Sequence, residues 1–259
     1  MGQRAISSGR TRPAERIDSE DNPVVCSNNT FIKSQAAAVR KYERQRADRY
    51  TSFFGEKIIC APKVGWPRID TELLYLAARS NVGPGQLSVF EPFCGTGAIG
   101  LLFAKQGAQT LMIDISSDAV ANALRNARAL NVMDRVKVLQ ADVFPEGKQK
   151  FDLIVANPPY TDHPATNTTA RIKWDPNHES VRRFLKGVKS RLKKFGEIYM
   201  SWASYSGYSF IEKLFLESGL EYRTVLEFIC CASTGNARAD RHRESNKSNL
   251  WSYRIYKCH

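Results

Sequence analysis

Residues 87–107 read LSVFEPFCGTGAIGLLFAKQG. An apolar run, a glycine-rich turn and a second apolar run ending in glycine describe a strand, a tight turn and a helix, in that order. Gly95, Gly97 and Gly100 match the spacing G-x-G-x-x-G. Glycines so placed let the backbone approach a ligand closely and turn at once into a helix. Alone, the spacing indicates a nucleotide-type cofactor of some kind. Its surroundings decide the fold.

Downstream, strands and helices alternate. TLMIDI (110–115), VKVLQAD (136–142), FDLIVAN (151–157) and EIYMSW (197–202) read as strands. SSDAVANALRNARALN (116–131) reads as a helix, with Val120, Ala123, Leu124, Ala127 and Leu130 on one face. ESVRRFLKGVKSRLKKFG (179–196) reads as an amphipathic helix with Val181, Phe184, Leu185, Val188 and Leu192 inward, and SFIEKLFLESG (209–219) as a further helix. The alternation predicts a parallel sheet covered on both faces. EYRTVLEFICC (221–231) and LWSYRIYKC (250–258) are joined by a polar loop with no helix, which predicts an antiparallel hairpin at the sheet edge. Upstream, TELLYLAARS (71–80) reads as a helix stopped by NVGPGQ (81–86). FIKSQAAAVRKYERQRADRY (31–50) has good helix propensity. Residues 1–30 are polar and aperiodic, which predicts a disordered tail. The expected organisation is thus a tail (1–30), a helical segment (31–64) and one large domain (65–259).

The net charge of +12 is unevenly distributed. Residues 1–50 hold 10 basic and 6 acidic residues, residues 51–179 hold 13 of each, and residues 180–259 hold 15 and 7. A neutral middle with basic ends suits an anionic partner such as RNA, or simple solubility. No apolar stretch approaches the length of a membrane span, and the N-terminus has no apolar signal core. The six cysteines form no CxxC pair and no metal-ligand spacing with the four histidines, which predicts reduced thiols, no metal and a cytoplasmic location.

Chemistry gathers at the strand ends. Asp114 closes the second strand, placed to accept both hydrogens of a ribose diol, and Asp142 closes the third, placed to accept from an adenine amino group. Glu91 precedes the first glycine. A carboxylate there is unwelcome to a pyrophosphate, which argues against a dinucleotide dehydrogenase, but it suits the ammonium of an aminoacyl group. Adenine, ribose and an amino-acid tail together describe S-adenosylmethionine (SAM). At the end of the fourth strand stands ANPPY (156–160). Two prolines remove two N–H donors and fix the backbone, a poor choice for sheet pairing. Asn157 offers its side-chain oxygen and Pro158 its carbonyl, with Pro159 stiffening the turn. Two fixed acceptors hold a planar –NH2 group with its lone pair aimed at a reacting carbon. Tyr160 offers a flat face for stacking.

EPFCGTGAIG, IDIS, LQADVF and FDLIVANPPY resemble, in order, the motifs of class I SAM-dependent methyltransferases of the amino-methylating branch. The resemblance covers about residues 65–258. It implies a Rossmann-like α/β fold with a seven-stranded sheet, an antiparallel last strand and helices on both faces. It also implies that Gly95, Gly97 and Asp114 hold SAM, and that Asn157 and Tyr160 serve the target nitrogen. The full expected cofactor set is Glu91, Phe93, Gly95, Thr96, Gly97, Asp114, Ile115, Asp142, Val143 and Asn157. PRIDTELL (67–74) is similar to the P-R-P-E-T-E segment of release-factor glutamine methyltransferases, whereas EPFCGTGAIG is closer to RNA guanine and adenine methyltransferases. The expected acceptor is an amino group in RNA, with a protein glutamine or a small metabolite as alternatives. SAM chemistry without methyl transfer, and a non-catalytic nucleic-acid-binding protein of this fold, are further readings. The segment 161–180 reads as a substrate-sorting lid or a loose connection. The basic run at 182–194 reads as a solvated face, with a phosphate track as the alternative. No separate RNA-binding module is recognisable upstream of the core.

Overall fold

The computed structural model describes residues 28–80, 87–231 and 250–259. Residues 81–86 and 232–249 lie outside them, as does the expected tail apart from Asn28–Thr30, which open the first helix. In chain order the elements begin with α1 (Asn28–Arg44), β1 (Arg49–Phe53), β2 (Glu56–Cys60) and α2 (Ile69–Ser80). The alternating core follows as β3 (Ser88–Glu91), α3 (Ala98–Lys105), β4 (Gln109–Asp114), α4 (Ser117–Ala129), β5 (Val136–Gln140) and β6 (Phe151–Ala156). It closes with α5 (Glu179–Val188), β7 (Leu192–Ala203), α6 (Tyr208–Glu217), β8 (Tyr222–Cys231) and β9 (Leu250–Cys258).

Seven strands form one sheet in the order β5-β4-β3-β6-β7-β9-β8. β3 to β7 run parallel, and β9 is antiparallel to both β7 and β8. The parallel part is what the alternation predicts, the antiparallel edge is what the terminal hairpin predicts, and together they form the Rossmann-like mixed sheet that the resemblance implies. The chain enters at β3, steps outward to β5, then returns to the other side of β3. That reversal opens a crevice beyond the carboxyl ends of β3 and β6, the place where open α/β sheets take ligands.

Residue alternation builds two of the three hydrophobic clusters, and Met112 and Val138 enter the third with Leu101 and Ala123. Phe90, Ile154, Ile198, Met200 and Trp202 enter one cluster with Val181, Phe184 and Leu185 of α5. Val89, Leu153, Val155 and Tyr199 enter the other with Leu74 and Tyr75 of α2 and Phe53 and Ile58 of the β1–β2 hairpin. Successive side chains on a strand point to opposite faces, so both faces of the sheet are buried.

Two boundaries differ from the sequence reading. The helix expected over 31–50 stops at Arg44, and residues 49–60 form an antiparallel hairpin. Its turn is Phe54-Gly55, both at positive φ, which suits the right-handed twist of paired strands. The helix expected over 179–196 stops at Val188, because Leu192 already pairs with Phe151 as β7 begins. Leu192 is buried as the helical periodicity requires, but it is the strand that buries it.

Of the cysteines described, Cys60, Cys94, Cys230 and Cys258 are free thiols. No described helix is long and apolar enough to cross a membrane.

Candidate functional site

One cavity runs along the carboxyl ends of β3, β4 and β6. It is lined by Glu91, Phe93, Gly95, Thr96, Asp114, Ile115, Asp142, Val143 and all four residues Asn157–Tyr160. Every residue expected at the site except Gly97 lines it; Gly97 lies in the same turn, at the start of α3.

The glycines divide the labour. A Cβ on Gly97 would sit 3.1 Å from both Ala123 and Met112, and φ there is +75°. A Cβ on Gly100 would sit 2.7 Å from the Glu91 carboxylate. Packing demands both, and at Gly97 the backbone conformation does so too. A Cβ on Gly95 would meet only the Gly65 carbonyl, at 3.6 Å, so Gly95 keeps the cavity open.

The three acids behave differently from one another. Asp114 accepts from the Gly95 N–H at 2.9 Å and from the Ser116 N–H at 2.9 Å. Burial raises its carboxyl above the ordinary value, against the pull of those N–H groups. Each oxygen keeps lone pairs for a diol. Glu91 is 5% exposed and accepts from the Gly100 N–H at 2.8 Å. Burial pushes it up to about 8. One of its oxygens is thus committed to the start of α3 rather than bare, which modifies the expected ammonium contact. Asp142 lies at the rim, exposed, and pairs with Arg183 at 2.8 Å. Val143 beside it has φ +68°, a strained value for a β-branched residue. The strain is held by its neighbour Phe144, which stacks between Phe90 and Phe184.

At the other end, the Asn157 amide is clamped. Its Nδ2 donates to Thr71 Oγ1 at 3.0 Å and to Asp70 Oδ2 at 3.4 Å. Its Oδ1 accepts from Ser201 Oγ at 2.8 Å and contacts the Tyr160 hydroxyl. The Tyr160 hydroxyl also reaches Asp70 Oδ2 at 3.1 Å. Asn157 is therefore fixed, but its oxygen is shared with two hydroxyls rather than bare as expected. Among the described residues none donates to the Pro158 carbonyl. Tyr160 is 6% exposed, with Trp202, Tyr205 and Tyr253 around its ring. The stacking platform expected of it is thus largely covered, and its hydroxyl anchors the network instead.

The rest of this end is cationic. Arg68 and Lys173 lie near Asp70, and Lys63 and Arg171 line the same cavity. Burial, with Arg68 nearby, pushes the Lys173 ammonium down to about 8. The segment 161–180 is fastened down, not loose: Thr161 and Asp175 bond across it, and the buried Asp175 carboxylate caps α5 through the Ser180 and Val181 N–H groups. It closes against the upstream chain, where a Cβ on Gly65 would lie 2.8 Å from Ile172.

Sequence reasoning gave no role to Asp70 and Thr71, although both lie in the PRIDTELL segment (67–74), and it missed Ser201 and Lys173, which no local motif marks. It also missed Asn122 and Asn126 of α4. Asn122 bonds the Ala61 N–H and the Ile59 carbonyl; Asn126 bonds the Ile59 N–H and the Thr96 carbonyl. Two amides four residues apart beside the buried Ala123 and Ala127 were the available signal.

Residues 84–226 match the family model described as methyltransferase small domain. The chain belongs to that family. Its cofactor is S-adenosylmethionine, and the cavity fits it: Gly95 leaves room, Asp114 keeps acceptor capacity and Ile115 offers an apolar rim. The chain is 39% identical over 103 residues to a release factor glutamine methyltransferase of Clostridium acetobutylicum, covering 36% of this chain and 35% of that one. It is 29% identical over 200 residues to a bifunctional methyltransferase of Rickettsia prowazekii, covering 64% and 38%. This small-domain methyltransferase therefore spans little more than a third of the length of those relatives. Among solved structures it is similar to the T. thermophilus 16S rRNA methyltransferase RsmC, in complex with AdoMet and guanosine, at TM-score 0.56 and 18% identity, covering 81% of this chain and 49% of that one. At 18% identity that likeness shows the fold.

Proposed function

We propose that the protein is an N-methyltransferase whose acceptor is a planar amino group on an RNA base. The observation that carries this reading is the fixed pair at the end of β6: the clamped Asn157 amide and the Pro158 carbonyl, facing the cavity that the glycine turn also lines. SAM supplies the methyl group as an electrophilic carbon on a sulfonium. Asp114 receives the cofactor's ribose and Ile115 its adenine rim. Glu91 meets the aminoacyl end with the acceptor capacity that the Gly100 N–H leaves free. The Pro158 carbonyl accepts one N–H of the acceptor. The Asn157 oxygen accepts the other, exchanging the Ser201 hydroxyl for it. Two acceptors in fixed positions orient the nitrogen lone pair and favour the pyramidal geometry of the transition state. The nitrogen sheds its proton after methylation, so the site requires no strong base.

The cations Lys63, Arg68, Arg171 and Lys173 support a phosphate-bearing acceptor. A protein glutamine is the second reading, favoured by the relatives named release factor glutamine methyltransferase. Transfer of a radiolabelled methyl from SAM into a cell extract, split into RNA, protein and small molecules, decides between them. Counts in RNA are expected. Counts in protein alone would move the acceptor to glutamine, and a product lacking the label would remove methyl transfer altogether.

A further inference from the structure

A second, shallower groove lies against the cavity wall, formed by the last turns of α1 and the start of β1. Ala37, Arg40, Lys41, Arg44, Gln45 and Arg49 line it. Four of the six are cations and none is acidic. The acids nearest in sequence are turned to other work: Glu43 accepts from Asn167 at 2.9 Å, and Asp48 pairs with Arg125. Among the described residues Arg40, Lys41, Arg44 and Arg49 have no ion-pair partner and no side-chain hydrogen bond.

What these cations do have is an aromatic wall. Lys41 Nζ lies 4.6 Å and Arg49 Cζ 5.5 Å from the centre of the Trp66 ring. Gln45 fixes that ring by accepting from its indole N–H at 3.2 Å, while donating to the Cys60 carbonyl at 2.7 Å. Tyr42 packs edge-on to Trp66, and both residues also line the main cavity. Groove and cavity are thus two sides of one wall.

The longer basic run on α5 and beyond offers a contrast. Arg183 pairs with Asp142, Lys193 pairs with Asp152, Lys189 bonds the Gly219 carbonyl and Arg191 lies over Phe144. Those cations already serve the fold. The helix dipole favours a cation in the last turn of α1, which accounts for Lys41 and Arg44. It does not account for Arg40, or for Arg49 in the following strand.

We propose that the groove lined by Arg40, Lys41, Arg44 and Arg49 holds the phosphate backbone of single-stranded RNA, next to the base delivered to Asn157. The inference rests on the RNA reading of the acceptor. A single strand presents that amino group directly, whereas a duplex base would first have to be flipped out to reach a recessed pair such as Asn157 and Pro158. An aromatic wall flanked by cations is the usual device for gripping such a strand.

The test is fluorescence anisotropy with a labelled single-stranded RNA of about 15 nucleotides, read over a salt series. Each phosphate neutralised on a single strand contributes about 0.7 to the slope of log affinity against log salt. The combined variant Arg40→Gln, Lys41→Gln, Arg44→Gln, Arg49→Gln should flatten that slope by up to about 3 and weaken binding at least about tenfold at low salt. A control with the same loss of charge elsewhere, Lys148→Gln, Lys150→Gln, Lys186→Gln, Lys213→Gln, should keep the wild-type slope. Thermal stabilisation by SAM, unchanged in both, shows that the cavity is intact. Equal flattening in both variants would overturn the groove, since attraction would then follow net charge alone. Wild-type binding that survives unchanged in the groove variant would overturn it too, leaving RNA as the acceptor. No binding by the wild type at low salt, with label entering protein, would overturn the RNA reading itself.

Discussion

The two ends of the cavity are built on opposite plans. At the cofactor end the backbone does most of the holding: Gly95, Gly100 and Ser116 offer N–H groups, and the carboxylates of Asp114 and Glu91 are bonded to them. The residues come from the ends of β3 and β4 and the turn into α3. At the acceptor end side chains do the holding. Asp70, Thr71, Asn157, Tyr160 and Ser201 converge from three separate stretches, and cations surround them. Buried polar atoms also remain unpartnered there, Asp70 Oδ1 and Trp174 Nε1 among them. An end that always receives the same ligand is finished in advance. The end that chooses an acceptor keeps polar capacity in reserve, at some cost to stability.

Removing the amide that joins the plans should have the largest effect. Asn157→Ala is expected to lower turnover by about a hundredfold or more, the scale for losing one preorganised group at a reacting centre. Stabilisation by SAM should be unchanged; turnover that survives would mean the pair at the end of β6 does not hold the nitrogen. Asp70→Asn comes next. It sets an amide against the Asn157 amide and weakens the anchor of Tyr160, so turnover should fall by about ten- to a hundredfold, the worth of a buried charge-assisted hydrogen bond. A loss of SAM affinity instead would place Asp70 in the cofactor end.

The comparison also has a pH signature. Folded Glu91 keeps its proton up to about 8, whereas in the unfolded chain it releases it near the ordinary 4.5. The folded state binds more protons between those values, so stability falls as pH rises through that window, by an amount on the order of a few kcal/mol. Melting temperatures of Glu91→Gln should lack that decline, and a slope equal to the wild type's would show that Glu91 is ionised throughout. Lys173 works in the next window up. Its folded value of about 8 lies below the ordinary 10.5, so its share of stability is lost as pH falls from 10.5 through 8. Lys173→Met should therefore melt slightly higher at neutral pH, the smallest effect of the four, while label transfer to RNA declines. A lower melting temperature would mean the ammonium has a stabilising partner.

The same contrast explains what could be read in advance. The cofactor end was legible because each of its parts is local: a glycine spacing and an acid at a strand end. Period-two and period-3.6 patterns placed the strands and helices from β3 to β9, apart from the α5–β7 boundary, where Leu192 satisfies both periods. The acceptor end was legible only in its turn of asparagine and prolines, because Ser201 meets Asn157 only through the pairing of β6 with β7. Asp70 meets Tyr160 only through the packing of α2 beneath the cavity. Tyr160 reads as a platform from its position in the motif, and only the ring of Trp202, Tyr205 and Tyr253 shows that it is an anchor. The hairpin at 49–60 was lost to the helix propensity of the residues before it.

Asn122 and Asn126 carry a consequence for how the protein is handled. They tie the edge of β2 to α4 and, through Thr96, to the glycine turn. A chain trimmed to start at residue 65 would strip Phe53 and Ile58 from their core and leave both amides facing solvent or nothing. The shortest soluble fragment able to bind SAM should therefore reach back to include the hairpin, and a crystallographer's or engineer's cut belongs ahead of β1.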